Sequence, residues 1–186
     1  MPTVHGYDNQ KSQAMLDFPR RAARLHEAAP PHDNHTERDM DAQDNKRIVT
    51  DGYRLFQNGD IPGMMAYASD DAEWIGADAE AVPFAGSFHG KAEVARFFSE
   101  LGAALQPTRF VIKDVIAEND KVVVLGEATW MVKSTGRDYE STWVHVFTVR
   151  DGKFTRVEAL YDTAAAERAF RPDRPDQMAA ATALRH

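Results

Sequence analysis

Hydrophobic positions recur with a helical period in the first half of the chain. From Asp44 onward, apolar residues lie three to four positions apart until Asn58-Gly59-Asp60, which predicts a first helix with a clear end. The same spacing predicts a short second helix at Met64–Tyr67 and a third at Ala92–Leu105. A brief strand, Ala72–Ile75, is predicted between the second and third helices.

After Pro107 the pattern changes to alternating apolar and polar positions, or to runs of β-branched residues, separated by polar turns. The predicted strands are Phe110–Ala117, Val122–Val132, Tyr139–Val149 and Phe154–Tyr161. A last helix is predicted at Thr163–Phe170, where Asp162 suits a helix N-cap better than a catalytic acid. Helices followed by antiparallel strands indicate an α+β fold, in which the helices cover the concave face of a curved sheet and enclose a cone.

Both ends of the chain differ from this central part. Residues 1–43 are polar apart from a short predicted helix at Ala14–Ala28, which predicts a flexible N-terminal arm. The arm holds His5, His26, His32 and His35, but they lack the spacing of a metal site. We expect the folded domain at 44–170 and a tail at 171–186. The loop Gly76–Gly90 is long for a compact domain, which suggests function or mobility.

Composition excludes several classes of function. The net charge is -7 and no basic stripe occurs, so nucleic acid is an unsuitable partner. Cysteine is absent, which removes disulfides, thiol nucleophiles and cysteine-ligated metals. No apolar run reaches transmembrane length and no secretory leader is recognisable, so we expect a cytoplasmic protein that does not bind a membrane. We also expect no metal and no cofactor, because neither ligand clusters nor phosphate-binding loops are present.

The segment Trp143-Val144-His145-Val146-Phe147 carries the strongest chemical signal. Strand side chains alternate between faces, so Trp143, His145 and Phe147 share one face. An imidazole between two aromatic rings is either a core histidine or the working group of a pocket. Burial would keep it neutral at pH 7, able to accept a proton or to donate a hydrogen bond. Both interpretations stay open at this point.

The order of elements resembles the NTF2-like superfamily and, within it, the SnoaL-like and ketosteroid-isomerase-like proteins. The resemblance covers about residues 44–170. The segments that carry it are Phe56–Asp60, Asp70–Trp74, Gly86–Gly90, Trp143–Phe147, Asp151–Lys153 and Tyr161–Thr163. It implies a cone in which a curved antiparallel sheet wraps around three N-terminal helices. It also implies a homodimer through the outer sheet face, which here would present Thr142, Val144, Val146 and Leu160.

The resemblance further implies a ligand pocket with His145 at the position of the ligand-facing histidine of SnoaL-like cyclases. The carboxylates of related enzymes do not carry over, because their positions correspond to Gly76, Trp130 and Ala159 here, and Ala128 stands at the position of an arginine. We therefore expect Tyr53 or Asp78 to assist His145. The expected pocket walls are Trp74, Phe84, Phe88, Trp130, Trp143, Ala159 and Tyr161.

Two functions remain open on the sequence. The first is a cofactor-free enzyme of the isomerase, cyclase or dehydratase type, which transfers a proton on a small apolar or aromatic ligand. The second is a non-catalytic module for ligand binding or dimerisation, in which His145 orients a ligand or completes the core. An open cavity next to His145 would support either ligand-binding reading, whereas a filled interior would exclude both.

Overall fold

The computed structural model describes the backbone of residues 34–172 and the side chains of residues 41–172. Its elements are α1 (Asn34–Gln57), α2 (Ile61–Met65), β1 (Ala68–Gly76), β2 (Ser87–His89), α3 (Lys91–Ala104), β3 (Leu105–Glu118), β4 (Lys121–Val132), β5 (Asp138–Arg150), β6 (Lys153–Tyr161) and α4 (Thr163–Phe170). None of these helices is long and apolar enough to cross a membrane. The predicted helix Ala14–Ala28 and most of the predicted tail lie outside the described residues, and the proposed division of the chain stays a prediction.

The strands form one six-stranded sheet in the order β2-β1-β6-β5-β4-β3. Neighbouring strands are antiparallel except β1 and β6, which are parallel. The predicted α+β layout is confirmed, and the four predicted hairpin strands are present. The structure adds β2 within the long loop. It also starts β3 at Leu105, before Pro107, which is tolerated because β3 is an edge strand with a register shift after this proline.

Helix boundaries follow the capping residues more closely than the hydrophobic period. Helix α1 starts at Asn34, before the Asp44 that the apolar pattern indicates. The pattern misses the first turns because their residues are mostly polar. Helix α2 starts at Ile61 since the Asp60 carboxylate accepts a hydrogen bond from the Gly63 N–H at 2.8 Å. Helix α4 begins where predicted, and the predicted capping role of Asp162 is confirmed by a 2.8 Å hydrogen bond from the Ala165 N–H.

The core lies between the inner face of the sheet and helices α1 and α3. Helix α3 buries Val94, Phe97 and Phe98, and the ring of Phe97 stacks on Trp74 of β1 with centroids 4.6 Å apart. Strands β3 to β6 align their inward residues in rows, one of which joins Val124, His145 and Ala159. The helices therefore face this aromatic side of the sheet.

The outer face of the sheet carries apolar residues between charged groups. Leu160 is 56% exposed and Ile116 is 59% exposed. Val144 pairs with Leu160 across strands β5 and β6, and Val146 lies two residues further along the same face. Since Val144 and Val146 are only partly buried, these residues form a continuous apolar strip on the outside.

Candidate functional site

A cavity of about 120 Å³ lies between helices α1 and α3 and the inner face of the sheet. Its wall is mostly aromatic. The predicted site residues that line it are Tyr53, Trp74, Phe84, Trp130, Trp143, His145, Ala159 and Tyr161. Further lining residues, beyond those predicted for the pocket wall, include Phe56, Phe97, Phe98, Phe110, Tyr139 and Ser141. Strand register could have predicted that Phe110 lines the cavity. Phe110 pairs with Ala128, and Ala128 pairs with Ser141, so the three residues share the inner face.

Two of the predicted site residues do not line the cavity. Phe88 is buried behind Phe97, with ring centroids 5.3 Å apart, and the Arg96 guanidinium lies 5.3 Å from its ring. Asp78 is exposed on the loop after β1 and is not part of the cavity wall. The structure therefore brings Tyr53, but not Asp78, to His145.

Tyr53 and His145 form the polar centre of the cavity. The Tyr53 Oη atom lies 2.6 Å from Nδ1 of His145, and the two rings are stacked 10° from parallel. Helix α1 contributes the tyrosine and strand β5 contributes the histidine, from positions 92 residues apart in the chain. A distance this short indicates a well-formed hydrogen bond between the two side chains.

Burial keeps both groups uncharged. Desolvation lowers the pKa of His145 to about 3 and raises the pKa of Tyr53 well above its usual value. Either Tyr53 donates its proton to Nδ1, which leaves the imidazole proton on Nε2, or Nδ1 carries the proton and donates to Oη. Nε2 has no hydrogen-bond partner in residues 41–172 and is not among the fully buried unpaired atoms, so it faces the cavity.

Aromatic rings surround this pair and fix its position. The indole of Trp143 lies 4.7 Å from the imidazole, and Trp74 meets it edge-on at 5.3 Å. Trp143 also covers Gly126 of β4, where an added Cβ would lie 2.1 Å from the indole Cζ2 atom. Glycine at this position therefore makes room for the indole on the inner face.

Further polar atoms of the cavity wall belong to uncharged side chains. Ser141 donates to the Thr142 carbonyl at 2.9 Å and accepts from the Asp162 N–H at 3.0 Å. Burial raises the pKa of Tyr139 and of Tyr161, so both remain protonated. Among the described residues that line the cavity, none is Asp, Glu, Lys or Arg. Residues 41–172 also contain no cluster of His, Asp and Glu side chains that could hold a metal ion.

A groove of about 390 Å³ lies beside the cavity, where the ends of α1 and α3 meet the start of β3. Its outer rim is formed by exposed residues, among them Gln57, Pro107 and Arg109. Six residues line both spaces, namely Phe56, Phe98, Leu101, Leu105, Phe110 and Trp130. The groove and the cavity are therefore neighbours, and the groove is the candidate entrance to the cavity.

The described residues thus form an α+β cone that encloses an aromatic cavity with a few uncharged polar groups. The family model described as the SnoaL-like domain matches residues 49–157, and the chain belongs to this family. The predicted resemblance is thereby confirmed. A comparison with curated proteins finds no match.

Solved structures show the same fold. An NTF2-like protein from Burkholderia xenovorans LB400 is 33% identical, with 71% of this chain and 99% of that chain covered and a TM-score of 0.63. An NTF2-like protein of unknown function from Burkholderia pseudomallei is 26% identical, with coverage of 68% and 97% and a TM-score of 0.63. TerC, co-crystallised with polyporic acid, is 27% identical, with coverage of 68% and 98% and a TM-score of 0.62.

Proposed function

We propose that this protein is a cofactor-free enzyme that transfers a proton on a small, uncharged, apolar or aromatic molecule bound in the cavity. The observation that carries the proposal is the 2.6 Å contact between Tyr53 and His145 inside an apolar wall. TerC, a relative of this chain, was co-crystallised with polyporic acid, which supports a ligand-binding role for the cavity. The reaction would be of the isomerase, cyclase or dehydratase type.

The Tyr53–His145 pair can move a proton without creating a charge. In one arrangement Tyr53 donates to Nδ1, and the Nε2 proton is available to a ligand oxygen. When Nε2 gives up this proton, Nδ1 takes the phenolic proton, and Tyr53 Oη takes a proton from a second ligand atom. The ligand is then a tautomer of itself, and the pair is neutral again, with the imidazole proton on Nδ1.

This concerted route suits the low pKa of His145. Stepwise protonation of an imidazole with a pKa of about 3 at pH 7 is costly, since each pKa unit corresponds to about 1.4 kcal/mol. A transfer in which Nε2 loses a proton while Nδ1 gains one avoids the imidazolium ion. It also needs no carboxylate base, which agrees with the composition of the described cavity wall.

Proton exchange of a simple aromatic ketone tests the proposal. We expect the protein to bind acetophenone and to accelerate the exchange of its methyl protons in D2O, measured by proton NMR. The variant Tyr53→Phe should bind the ketone but lose the acceleration, because the phenolic proton and its acceptor oxygen are both gone. Equal exchange with wild type and with Tyr53→Phe would contradict the relay.

The second candidate function is ligand binding without catalysis. The absence of acidic and basic side chains from the described cavity wall, together with the low pKa of His145, favours it. In that case His145 Nε2 would only orient the ligand. If the wild-type protein bound acetophenone but did not accelerate the exchange of its methyl protons, this second function would be favoured.

We also propose that two copies pair through the outer sheet face, in the cytoplasm. The apolar strip of Val144, Val146 and Leu160, next to Thr142, supports this pairing, because Leu160 is 56% exposed. The variant Leu160→Lys should sediment as a monomer in analytical ultracentrifugation while keeping its circular dichroism spectrum. A wild-type protein that is already monomeric at high concentration would exclude the pairing.

A further inference from the structure

The ring of Phe110 lies at the boundary between the cavity and the neighbouring groove. It stacks on Trp143, with centroids 5.0 Å apart, and lies 6.2 Å from the ring of Tyr53. Both of these residues line the cavity but not the groove. Phe110 also lies 5.4 Å from the ring of Phe56 and 6.0 Å from that of Trp130, and these two line both spaces. One side chain thus contacts the centre of the cavity and the wall of the groove.

Strand pairing and aromatic contacts hold this ring in place. Phe110 pairs with Ala128 of β4, which turns its side chain to the inner face of the sheet. Its carbonyl accepts a hydrogen bond from Nε2 of Gln57, at the end of α1, at 3.4 Å. Gln57 lines the groove but not the cavity. Because the ring contacts four aromatic neighbours, moving it aside for a ligand would lose several favourable contacts.

The volume of the cavity suits a single ring. It is about 120 Å³, and an engineered apolar cavity of about 150 Å³ in another protein holds one benzene molecule. A second ring joined to the first therefore has to extend beyond the cavity. The groove, at about 390 Å³, is the adjacent space, and Phe110 lies between a ligand in the cavity and this space.

We propose that Phe110 is a specificity-determining residue, which limits the ligand of this cavity to a single ring. The ligand class is then a monocyclic apolar or aromatic compound, and molecules with two linked rings are excluded. This inference rests on the proposed function in one respect, namely that the cavity binds a small apolar or aromatic molecule. It adds an upper limit of size and assigns that limit to one side chain.

Two ketones that differ by one ring test the limit. Acetophenone has a single ring, whereas 4-acetylbiphenyl carries a second ring opposite the acetyl group. Ligand-observed NMR, at the methyl signal that both ketones share, measures their equilibrium affinities. If the second ring fitted, its burial would strengthen binding about tenfold or more. We expect the wild-type protein instead to bind 4-acetylbiphenyl about tenfold more weakly than acetophenone.

Phe110→Ala should reverse this preference, because loss of the ring joins the cavity to the groove. We expect this variant to bind 4-acetylbiphenyl about tenfold more tightly than acetophenone. Phe110→Leu should shift the preference in the same direction by a smaller factor, and it serves as the test if circular dichroism shows that Phe110→Ala does not fold. Phe88→Leu is the matched control, because Phe88 is buried behind Phe97 and does not line the cavity. It should keep the wild-type preference.

The outcomes separate the size limit from the proposed function. A wild-type protein that bound both ketones equally, or preferred 4-acetylbiphenyl, would overturn the limit and leave the proposed function intact. An unchanged preference in the folded Phe110 variant would also overturn it, because another part of the wall would then set the size. The same shift in Phe88→Leu would overturn it too, since any loosening of the core would have this effect. If the wild-type protein bound neither ketone, the proposed function would fail as well.

Discussion

Tyr53→Phe is the substitution that tests the centre of the site most directly. It removes one hydroxyl and keeps the ring, so the stacking of residue 53 on Trp143, with centroids 5.7 Å apart, is preserved. What is lost is the hydrogen bond to His145 Nδ1 at 2.6 Å. Nδ1 has no other hydrogen-bond partner among residues 41–172, so the substitution leaves it without one.

The expected loss of stability follows from that unpaired nitrogen. Removal of one partner of a buried hydrogen bond costs about 1–3 kcal/mol, more than the net gain from making such a bond. For a chain of this length, each kcal/mol corresponds to about 2–4 °C in the melting temperature. We therefore expect Tyr53→Phe to lower the free energy of unfolding by about 1–3 kcal/mol and the melting temperature by several degrees.

Urea unfolding followed by circular dichroism measures this difference, and Tyr67→Phe provides the matched control. Tyr67 also lines the cavity, but its hydroxyl has no hydrogen bond within residues 41–172. Its removal should therefore change the free energy of unfolding by less than about 0.5 kcal/mol. If Tyr53→Phe proved no more destabilising than Tyr67→Phe, the Tyr53–His145 bond would not be a stabilising contact, and the relay built on it would lose its support.

Three further predictions concern stability. Gly126→Ala should lower the free energy of unfolding by about 1–3 kcal/mol, because its Cβ would clash with the Trp143 indole. The control Gly102→Ala, at a helix position with open space, should raise this free energy by about 0.5–1 kcal/mol, and urea unfolding measures both. Asp162→Ala should cost about 0.5–2 kcal/mol, while Asp162→Asn, which keeps the capping oxygen, should cost less; calorimetry distinguishes them. Since the His145 pKa falls from 6.5 to about 3 on folding, only the unfolded chain binds this proton between those values. The free energy of unfolding should therefore fall by up to about 1.4 kcal/mol as the pH drops from 6 to 5. Urea unfolding measured at each pH tests this, and the variant His145→Gln should lack the contribution of His145 to this pH dependence.

The fold was largely predictable because its strands and helices differ in hydrophobic period. Thr163–Phe170 has the predicted boundaries, since Asp162 supplies a cap that is visible in the sequence. The predicted start of α1 is wrong, because the first turns of this helix carry polar residues that give no apolar period. Ser87–His89 was missed because a strand of three residues has too few positions to show alternation.

The cavity wall was predictable where it depends on strand alternation and less so where helices or loops contribute. Trp143 and His145 share the inner face as the alternation indicates. The choice between Tyr53 and Asp78 could not be made, since it depends on how a helix is rotated against the sheet. The sequence predicts Phe88 in the wall although Phe97 lies in front of it, because a sequence pattern indicates burial but not depth.

The geometry around Gly76 explains why a carboxylate mechanism does not suit this chain. In the family resemblance this position corresponds to the base of ketosteroid isomerases, and in the structure it does line the cavity. However, its N–H donates to the Gly86 carbonyl at 2.9 Å, and an added Cβ would lie 2.9 Å from that same oxygen. Any side chain at 76 would thus push the loop away from β1. The Gly86 backbone thus occupies the space that the side chain of a base at position 76 would need. The polar groups of the described wall are neutral. A pair that exchanges protons without becoming charged, as we propose for Tyr53 and His145, is a chemistry that such a wall can support.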